Sequence, residues 1–117
     1  MPHIVIGKTL DLFDFSKKFI PIFQKSPLIK IQTIFVEKNG FTALLPTIVI
    51  DESHKEFFIE LSTTKEKTTI RLHPLTDPEK TDSVKLSLAK LYSHIKSVYP
   101  DISITKTNLS DYVERVE

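Results

Sequence analysis

The stretch between residues 29 and 72 constrains the fold most, because apolar and β-branched residues recur there in extended runs separated by short polar turns. Alternation over Ile29–Phe35 and a second run over Phe41–Ile50 flank Lys38-Asn39-Gly40, which is typical of a hairpin turn. Two further runs, Glu56–Leu61 and Thr68–Leu72, flank a polar segment. The pattern therefore predicts one hairpin followed by a second hairpin or a single bent strand.

Two other segments have the three- and four-residue spacing of an amphipathic helix. Thr9 or Asp11 is a candidate cap for the first, whose apolar positions are Leu12, Phe15, Phe19, Ile22 and Phe23. Asp77, with Pro78 as the first helical residue, is expected to begin the second. The apolar positions that follow are Val84, Leu88, Leu91, Ile95 and Val98.

Two prolines fall inside predicted elements, and proline lacks the backbone N–H that helices and sheets use. Pro21 is expected to kink or end the first helix about one turn early. Pro46 would interrupt a central ladder, so the arm that contains it is expected to be an edge strand, to bulge or to form two pieces.

The two ends of the chain complete the order of elements. His3–Ile6 predicts a buried first strand, Ile102–Thr105 a last strand, and Asn108–Glu117 a short helix or a tail. The expected fold is a single α+β, two-layer domain over residues 1–117, with two β-α-β units that place both helices on one face of a mixed sheet. Such a sheet leaves edges open, which oligomerisation would cover.

Composition excludes several classes of function. A chain of 117 residues forms one domain, and its net charge of +1 gives no sign of nucleic-acid or acidic-membrane binding. The longest apolar stretch, Leu44–Ile50, is far shorter than the ~20 residues of a membrane-spanning helix. With no secretory signal and no cysteine, a soluble cytoplasmic protein is expected. Its two glycines, Gly7 and Gly40, are too few for a phosphate-binding glycine loop.

The remaining side chains form no recognisable catalytic or metal-binding motif. No Gly-x-Ser-x-Gly elbow is present, and the histidines have no ligand spacing, so we expect neither a metal nor another cofactor. Asp51, Glu52 and Glu56 are interpreted as solvated loop carboxylates rather than an acid/base pair. The phenylalanines of the first helix are expected to pack in the core: Phe13, Phe15, Phe19 and Phe23.

Pro2 is the candidate catalytic residue. Removal of Met1 would leave a secondary amine directly before a buried strand. An α-amino group titrates near pH 8, and burial or neighbouring cations lower its pKa, so the amine could accept a proton near pH 7.

The opening residues Met1-Pro2-His3-Ile4-Val5-Ile6 resemble the start of the 5-carboxymethyl-2-hydroxymuconate isomerases of the tautomerase superfamily. The resemblance in the order of elements covers almost the whole chain, but only these six residues are specific. It implies a tautomerase-like fold, a homotrimer with active sites near subunit boundaries, and a small-molecule substrate from which Pro2 abstracts a proton.

The chain departs from the family at the positions that bind substrate. Gly7-Lys8 stands where the family commonly has an acidic residue, and Gln32 and Ile34 stand where its members tend to have arginines. The resemblance therefore does not carry a dicarboxylate substrate over to this chain. The nearest basic candidates for substrate binding are Lys8, Lys30 and Arg71, and each also fits a structural or surface role.

Three functions follow from these observations. The first is a keto-enol tautomerase with Pro2 as general base. The second is a non-catalytic, oligomeric ligand-binding or structural relative of the same fold. The third is an unrelated ferredoxin-like binding module that shares only the order of elements.

Overall fold

The structure is a computed structural model that describes residues 1–116. Within that range, eight strands form one sheet and three helices accompany it. The strands are β1 (His3–Ile6), β2 (Ile22–Gln24), β3 (Leu28–Ile31), β4 (Phe35–Val36), β5 (Thr42–Ile50), β6 (His54–Thr63), β7 (Thr68–Leu72) and β8 (Ile104–Thr107). The helices are α1 (Leu12–Lys18), α2 (Asp82–Val98) and α3 (Ser110–Val116).

The sheet has the order β2-β3-β5-β6-β7-β1-β8, with β4 also paired to β5, and every pairing is antiparallel. It curls into a half-barrel. The prediction of a tautomerase-like pair of β-α-β units on a mixed sheet was therefore wrong. Both predicted hairpins are confirmed, as β3/β4–β5 and β6–β7.

The reason for this difference lies in the connections. Short turns connect each strand to the next from β3 through β7, and strands connected by a short turn can pair only antiparallel. The first strand, β1, then pairs antiparallel with β7 on one side and with β8 on the other. Neither α1 nor α2 is therefore the crossover between parallel strands that a β-α-β unit requires.

Pro46 lies in the middle of β5, which is continuous and central rather than split. On the side away from β6, β5 pairs with β3 and β4, and residues 32–34 separate these two strands. In the register, Thr47 pairs with Ile31 and Leu44 pairs with Phe35, so Pro46 faces the break. A missing N–H costs little where no ladder partner is present.

One core fills the concave side of the sheet. Alternate residues of each long strand point inward, for example Leu45 on β5, Ile59 and Leu61 on β6, and Ile70 on β7, all fully buried. Helix α2 packs against β1, β5 and β7 with a buried face that includes Leu88. The three helices lie together on this side, since α1 and α3 also contact α2.

Helix α1 is shorter than its apolar spacing suggests. It begins after the cap Asp11, whose side chain accepts from the N–H of Asp14, and it ends at Lys18. Phe19 is already extended, and the residues after Pro21 form β2 instead of a further helical turn. The predicted helix therefore combined two elements, α1 and β2, which Pro21 separates.

Helix α2 begins four residues later than Asp77 and Pro78 predicted. Thr81 is its cap, and the Thr81 hydroxyl accepts from the N–H of Val84 at 3.3 Å while it donates to Asp51 at 2.8 Å. Asp77 is exposed and forms an ion pair with Lys80 instead. The cap of α2 is therefore Thr81, whose hydroxyl is also bound to the Asp51 carboxylate that follows β5.

Replacing Thr81 by alanine is expected to lower the free energy of unfolding by about 1–2 kcal/mol, since it removes the cap of the longest helix. Asp77→Ala, the matched control, is expected to change it by less than about 0.5 kcal/mol. Chemical denaturation of both variants measures the difference. Equal midpoints would show that Thr81 does not cap α2 in solution.

Candidate functional site

The outer side of the sheet carries an apolar surface that no helix covers. We call it the convex face, and its apolar members are Phe35, Leu44, Pro46, Ile48 and Phe58. They alternate along β4, β5 and β6 with residues that point into the core. Phe35 is 62% exposed and Phe58 is 36% exposed. Neighbouring exposed apolar side chains on one surface are typical of an interaction site.

A buried carboxylate lies on this water-facing side. Glu60 of β6 stands between Ile59 and Leu61, both of which point into the core, yet its own side chain is only 7% exposed. Arg71 lies on β7 directly opposite Glu60. Its Nε donates to Glu60 Oε2 at 2.7 Å, and its Nη2 lies 2.6 Å from the same oxygen. His73 Nδ1 lies 3.0 Å from Glu60 Oε1. We call these three residues the Glu60 cluster.

The contact with Glu60 sets the hydrogen-bonding state of His73. An ionised carboxylate only accepts, so His73 Nδ1 must carry the proton that it donates. In the neutral imidazole, Nε2 then keeps its lone pair and is an acceptor. Glu60 orients His73 in the way that a carboxylate orients the histidine of an acid/base pair.

A groove of about 520 Å³ runs beside the cluster. Phe35, Val36 and Leu44 supply apolar walls. Its polar lining consists of Glu37, Thr42, Glu60 and His73, and the two carboxylates among them only accept hydrogen bonds. An apolar cavity with a few convergent polar groups is the usual form of a small-molecule site.

Pro2 lies on the opposite side of the sheet from this groove. It is buried and stands two positions before Ile4, so strand alternation points it to the core face. Its nitrogen is the amide of the bond to Met1, whose side chain is 72% exposed. Asn108 donates from Nδ2 to the Met1 carbonyl at 2.7 Å, which holds the N-terminal segment against β8.

The three basic candidates for substrate binding are not brought together. Lys8 follows the other end of β1 and forms an exposed ion pair with Asp101. Lys30 lies on β3, and three strands separate it from β1. Only Arg71 is near the N-terminus, because it pairs with His3 in the backbone register. Their role as a substrate-binding set stays a prediction.

The structure places Gln32 and Ile34 in the break between β3 and β4. Gln32 contributes to a cavity of about 300 Å³ on the convex face, beside Pro46 and Phe58. Ile34 packs against the core. Neither residue is close to Pro2 in the order of strands, since β5, β6 and β7 intervene.

The Glu60 cluster was missed by sequence reasoning. In a strand of alternating character, Glu60 has the position of an ordinary solvated residue. The signal that could have found the pair is the hairpin register, because a turn over residues 64–67 places Glu60 directly opposite Arg71. His73 lies two positions after Arg71, so strand alternation would place both side chains on one face.

The described residues contain neither a metal-binding group nor a membrane-spanning helix. Among residues 1–116, no group of three or more His, Cys, Asp or Glu side chains could hold a metal ion. In the same range, no helix is both long enough and apolar enough to cross a membrane. No family model, no curated protein and no solved structure matches this chain.

Proposed function

We propose that this protein is a ligand-binding domain whose site is the groove beside the Glu60 cluster. The observation that carries the proposal is a carboxylate that is 7% exposed on the water-facing side of a sheet. Burying a charge is costly, and an apolar residue would pack at that position without such a cost. A charge kept there, with Arg71 and His73 bound to it, supports a role in recognition.

The charge of the groove indicates which ligand it takes. Arg71 balances Glu60, which leaves the carboxylate of Glu37 without an ion-pair partner among residues 1–116. The Thr42 hydroxyl can also accept a hydrogen bond. Hydrogen-bond acceptors in the groove pair with a donor on the ligand. The ligand is therefore a small organic amine whose apolar body packs against Phe35 and Leu44. The exposed ring of Phe35 would also attract an ammonium group.

Binding of phenethylamine and of 3-phenylpropionate is expected to differ, since the two have similar bodies and opposite charges. For the amine, a gain of about 0.3 kcal/mol per non-hydrogen atom corresponds to a Kd of about 10 mM. Amide chemical shifts should move at residues 35–44 and around Glu60 and His73. Equal affinity for the two compounds, or shifts outside the groove, would contradict the proposal.

Variants make the same experiment sharper. Glu37→Gln and Leu44→Ser are each expected to weaken amine binding several-fold, because they remove the counter-charge and an apolar wall. Glu56→Gln is the matched control, since Glu56 is an exposed carboxylate on the same face of β6 but outside this groove. A control that weakens binding as much as Glu37→Gln would point to diffuse charge attraction only.

We also propose, as a second candidate, proton abstraction by Pro2 after removal of Met1. The observation in its favour is the burial of Pro2 directly before β1, since burial lowers the pKa of a free amine. The homotrimer likewise stays a prediction, and the convex face offers it a surface for self-association. Because every strand pairing is antiparallel, neither proposal rests on a fold shared with the tautomerases.

Protein with a free Pro2 amine is expected to ketonise phenylenolpyruvate weakly but measurably above buffer. Pro2→Ala should lower the rate through the changed pKa and geometry of the base, and retention of Met1 should abolish it because the amine becomes an amide. Intact mass establishes which form is present. Identical rates for the processed protein, the Met1-retaining protein and buffer would remove support for this activity.

A further inference from the structure

A second pocket lies on the helical side of the sheet, away from the convex face. It has a volume of about 510 Å³ and is formed by β2, α2 and α3. Ile22 and Leu86 give it an apolar part. We call it the α2–α3 pocket, and its polar lining includes Gln24, Lys90, His94 and Arg115.

Two cations converge on this pocket from different helices. Lys90 comes from α2 and Arg115 from α3, and no carboxylate among residues 1–116 lines the pocket or forms an ion pair with either. The seven ion pairs of the described chain lie elsewhere. Two like charges that line one cavity, with no carboxylate of residues 1–116 beside them, repel each other and favour an anion between them.

The guanidinium of Arg115 is held in place. It lies over the ring of Tyr112 at 4.8 Å from the ring centre. Tyr112 is itself anchored, because its hydroxyl donates to Asp82 at 2.6 Å. An arginine stacked on an aromatic ring loses less freedom when it binds a ligand.

The neutral groups of the pocket are donors as well. His94 Nε2 accepts from the N–H of Ile20 at 3.1 Å, so the neutral ring carries its proton on Nδ1. Burial lowers the pKa of His94, which keeps the ring neutral at pH 7. Gln24 uses Nε2 to donate to the Pro27 carbonyl and retains a second N–H. The α2–α3 pocket is therefore rich in donors, whereas the groove on the convex face is rich in acceptors.

From this contrast we infer that the α2–α3 pocket binds a small organic phosphate monoester. The dianionic phosphate would lie between Lys90 and Arg115, where it satisfies both charges. The organic group would lie against Ile22 and Leu86. A carboxylate carries one charge and would leave one of the two cations uncompensated.

Isothermal titration and amide-shift mapping with phenyl phosphate, inorganic phosphate and benzoate test this inference at one fixed ionic strength. Phenyl phosphate is expected to bind at least about tenfold more tightly than benzoate, because it pairs with a second charge. Inorganic phosphate should bind more weakly than phenyl phosphate, and its shifts should map to the same residues. No binding, or equal affinity for phenyl phosphate and benzoate, would overturn the inference.

Three variants separate the charged part of the pocket from the apolar part. Lys90→Gln and Arg115→Gln are each expected to weaken phenyl phosphate binding about tenfold. Leu86→Ser should weaken binding of phenyl phosphate while leaving inorganic phosphate unchanged. Lys106→Gln is the matched control, since Lys106 is an exposed lysine on β8.

Thermal denaturation of each variant checks that it is folded, and phosphate binding by one charge variant can be read even if the other is unstable. A loss in Lys106→Gln equal to that in Lys90→Gln would show non-specific attraction and would sink the proposal. Because the readout is phosphate binding on the helical side, it fails or succeeds independently of amine binding on the convex face.

Discussion

Asp51→Asn is expected to lower the free energy of unfolding by about 3 kcal/mol, since it leaves a buried lysine without its counter-charge. Lys55 Nζ donates to Asp51 Oδ1 at 2.5 Å, and the two side chains are 8% and 15% exposed. The other carboxylate oxygen accepts from Thr81 at 2.8 Å, so Asp51 also ties the β5–β6 turn to the start of α2. Urea denaturation gives the change in stability.

The control for this prediction is the exposed pair of Lys8 and Asp101, whose side chains are 53% and 68% exposed. Asp101→Asn is expected to cost less than about 1 kcal/mol, because water screens that pair. Lys55→Met should cost less in the Asp51→Asn background than in the native chain, with a coupling energy above about 1 kcal/mol. Additive effects of the two substitutions would show that the pair is not coupled.

The stabilisation by Asp51 depends on pH in a defined direction. The hydrogen bond from Lys55 holds the pKa of the Asp51 carboxyl well below its usual range. The unfolded pKa is about 3.9, so the contribution is complete above that pH and is lost as the pH falls towards the folded pKa. The difference in stability between the native chain and Asp51→Asn is therefore expected to be constant near neutral pH and to shrink below about pH 4.

Phe15→Ala is expected to cost about 3–5 kcal/mol, the usual range for removal of a buried aromatic side chain. Phe15 is fully buried, and its ring centre lies 5.6 Å from that of His94 and 6.0 Å from that of Phe19. Helix α1 has only seven residues and could not persist without such packing. Calorimetry should show a single transition at a markedly lower temperature.

Phe13→Ala on the same helix is the matched control. Phe13 is 48% exposed, so its removal is expected to cost less than about 1 kcal/mol. Similar losses for Phe13→Ala and Phe15→Ala would mean that the orientation of α1 differs in solution. The pair thus measures which face of α1 contacts the core.

The phenylalanine-rich segment illustrates how far local pattern reaches. Its spacing predicted a helix and a buried aromatic face, and the helix is present over the first part of that segment. Among the four phenylalanines, however, only Phe15 is fully buried, while Phe13 and Phe23 are about half exposed. Periodicity reports the chance that side chains share a face, but burial depends on which other elements cover that face.

The same limit explains the wrong fold class. The hairpins β3/β4–β5 and β6–β7 were predictable, because turn residues and alternation act over a few positions. The neighbours of β1 were not, since its partners β7 and β8 lie about 65 and 100 residues away and nothing local specifies them. The resemblance of six N-terminal residues to a tautomerase could not replace that information.

Sequence alone indicated most of the strands, two of the hairpins and the existence of two of the helices, because these depend on interactions between near neighbours. Only tertiary structure decided the candidate sites. Glu60 becomes a buried charge when β7 brings Arg71 and His73 to it, and Lys90 and Arg115 line one pocket only when α3 packs on α2. Burial at such places depends on which other segments cover them, and the spacing of residues within one segment does not encode that.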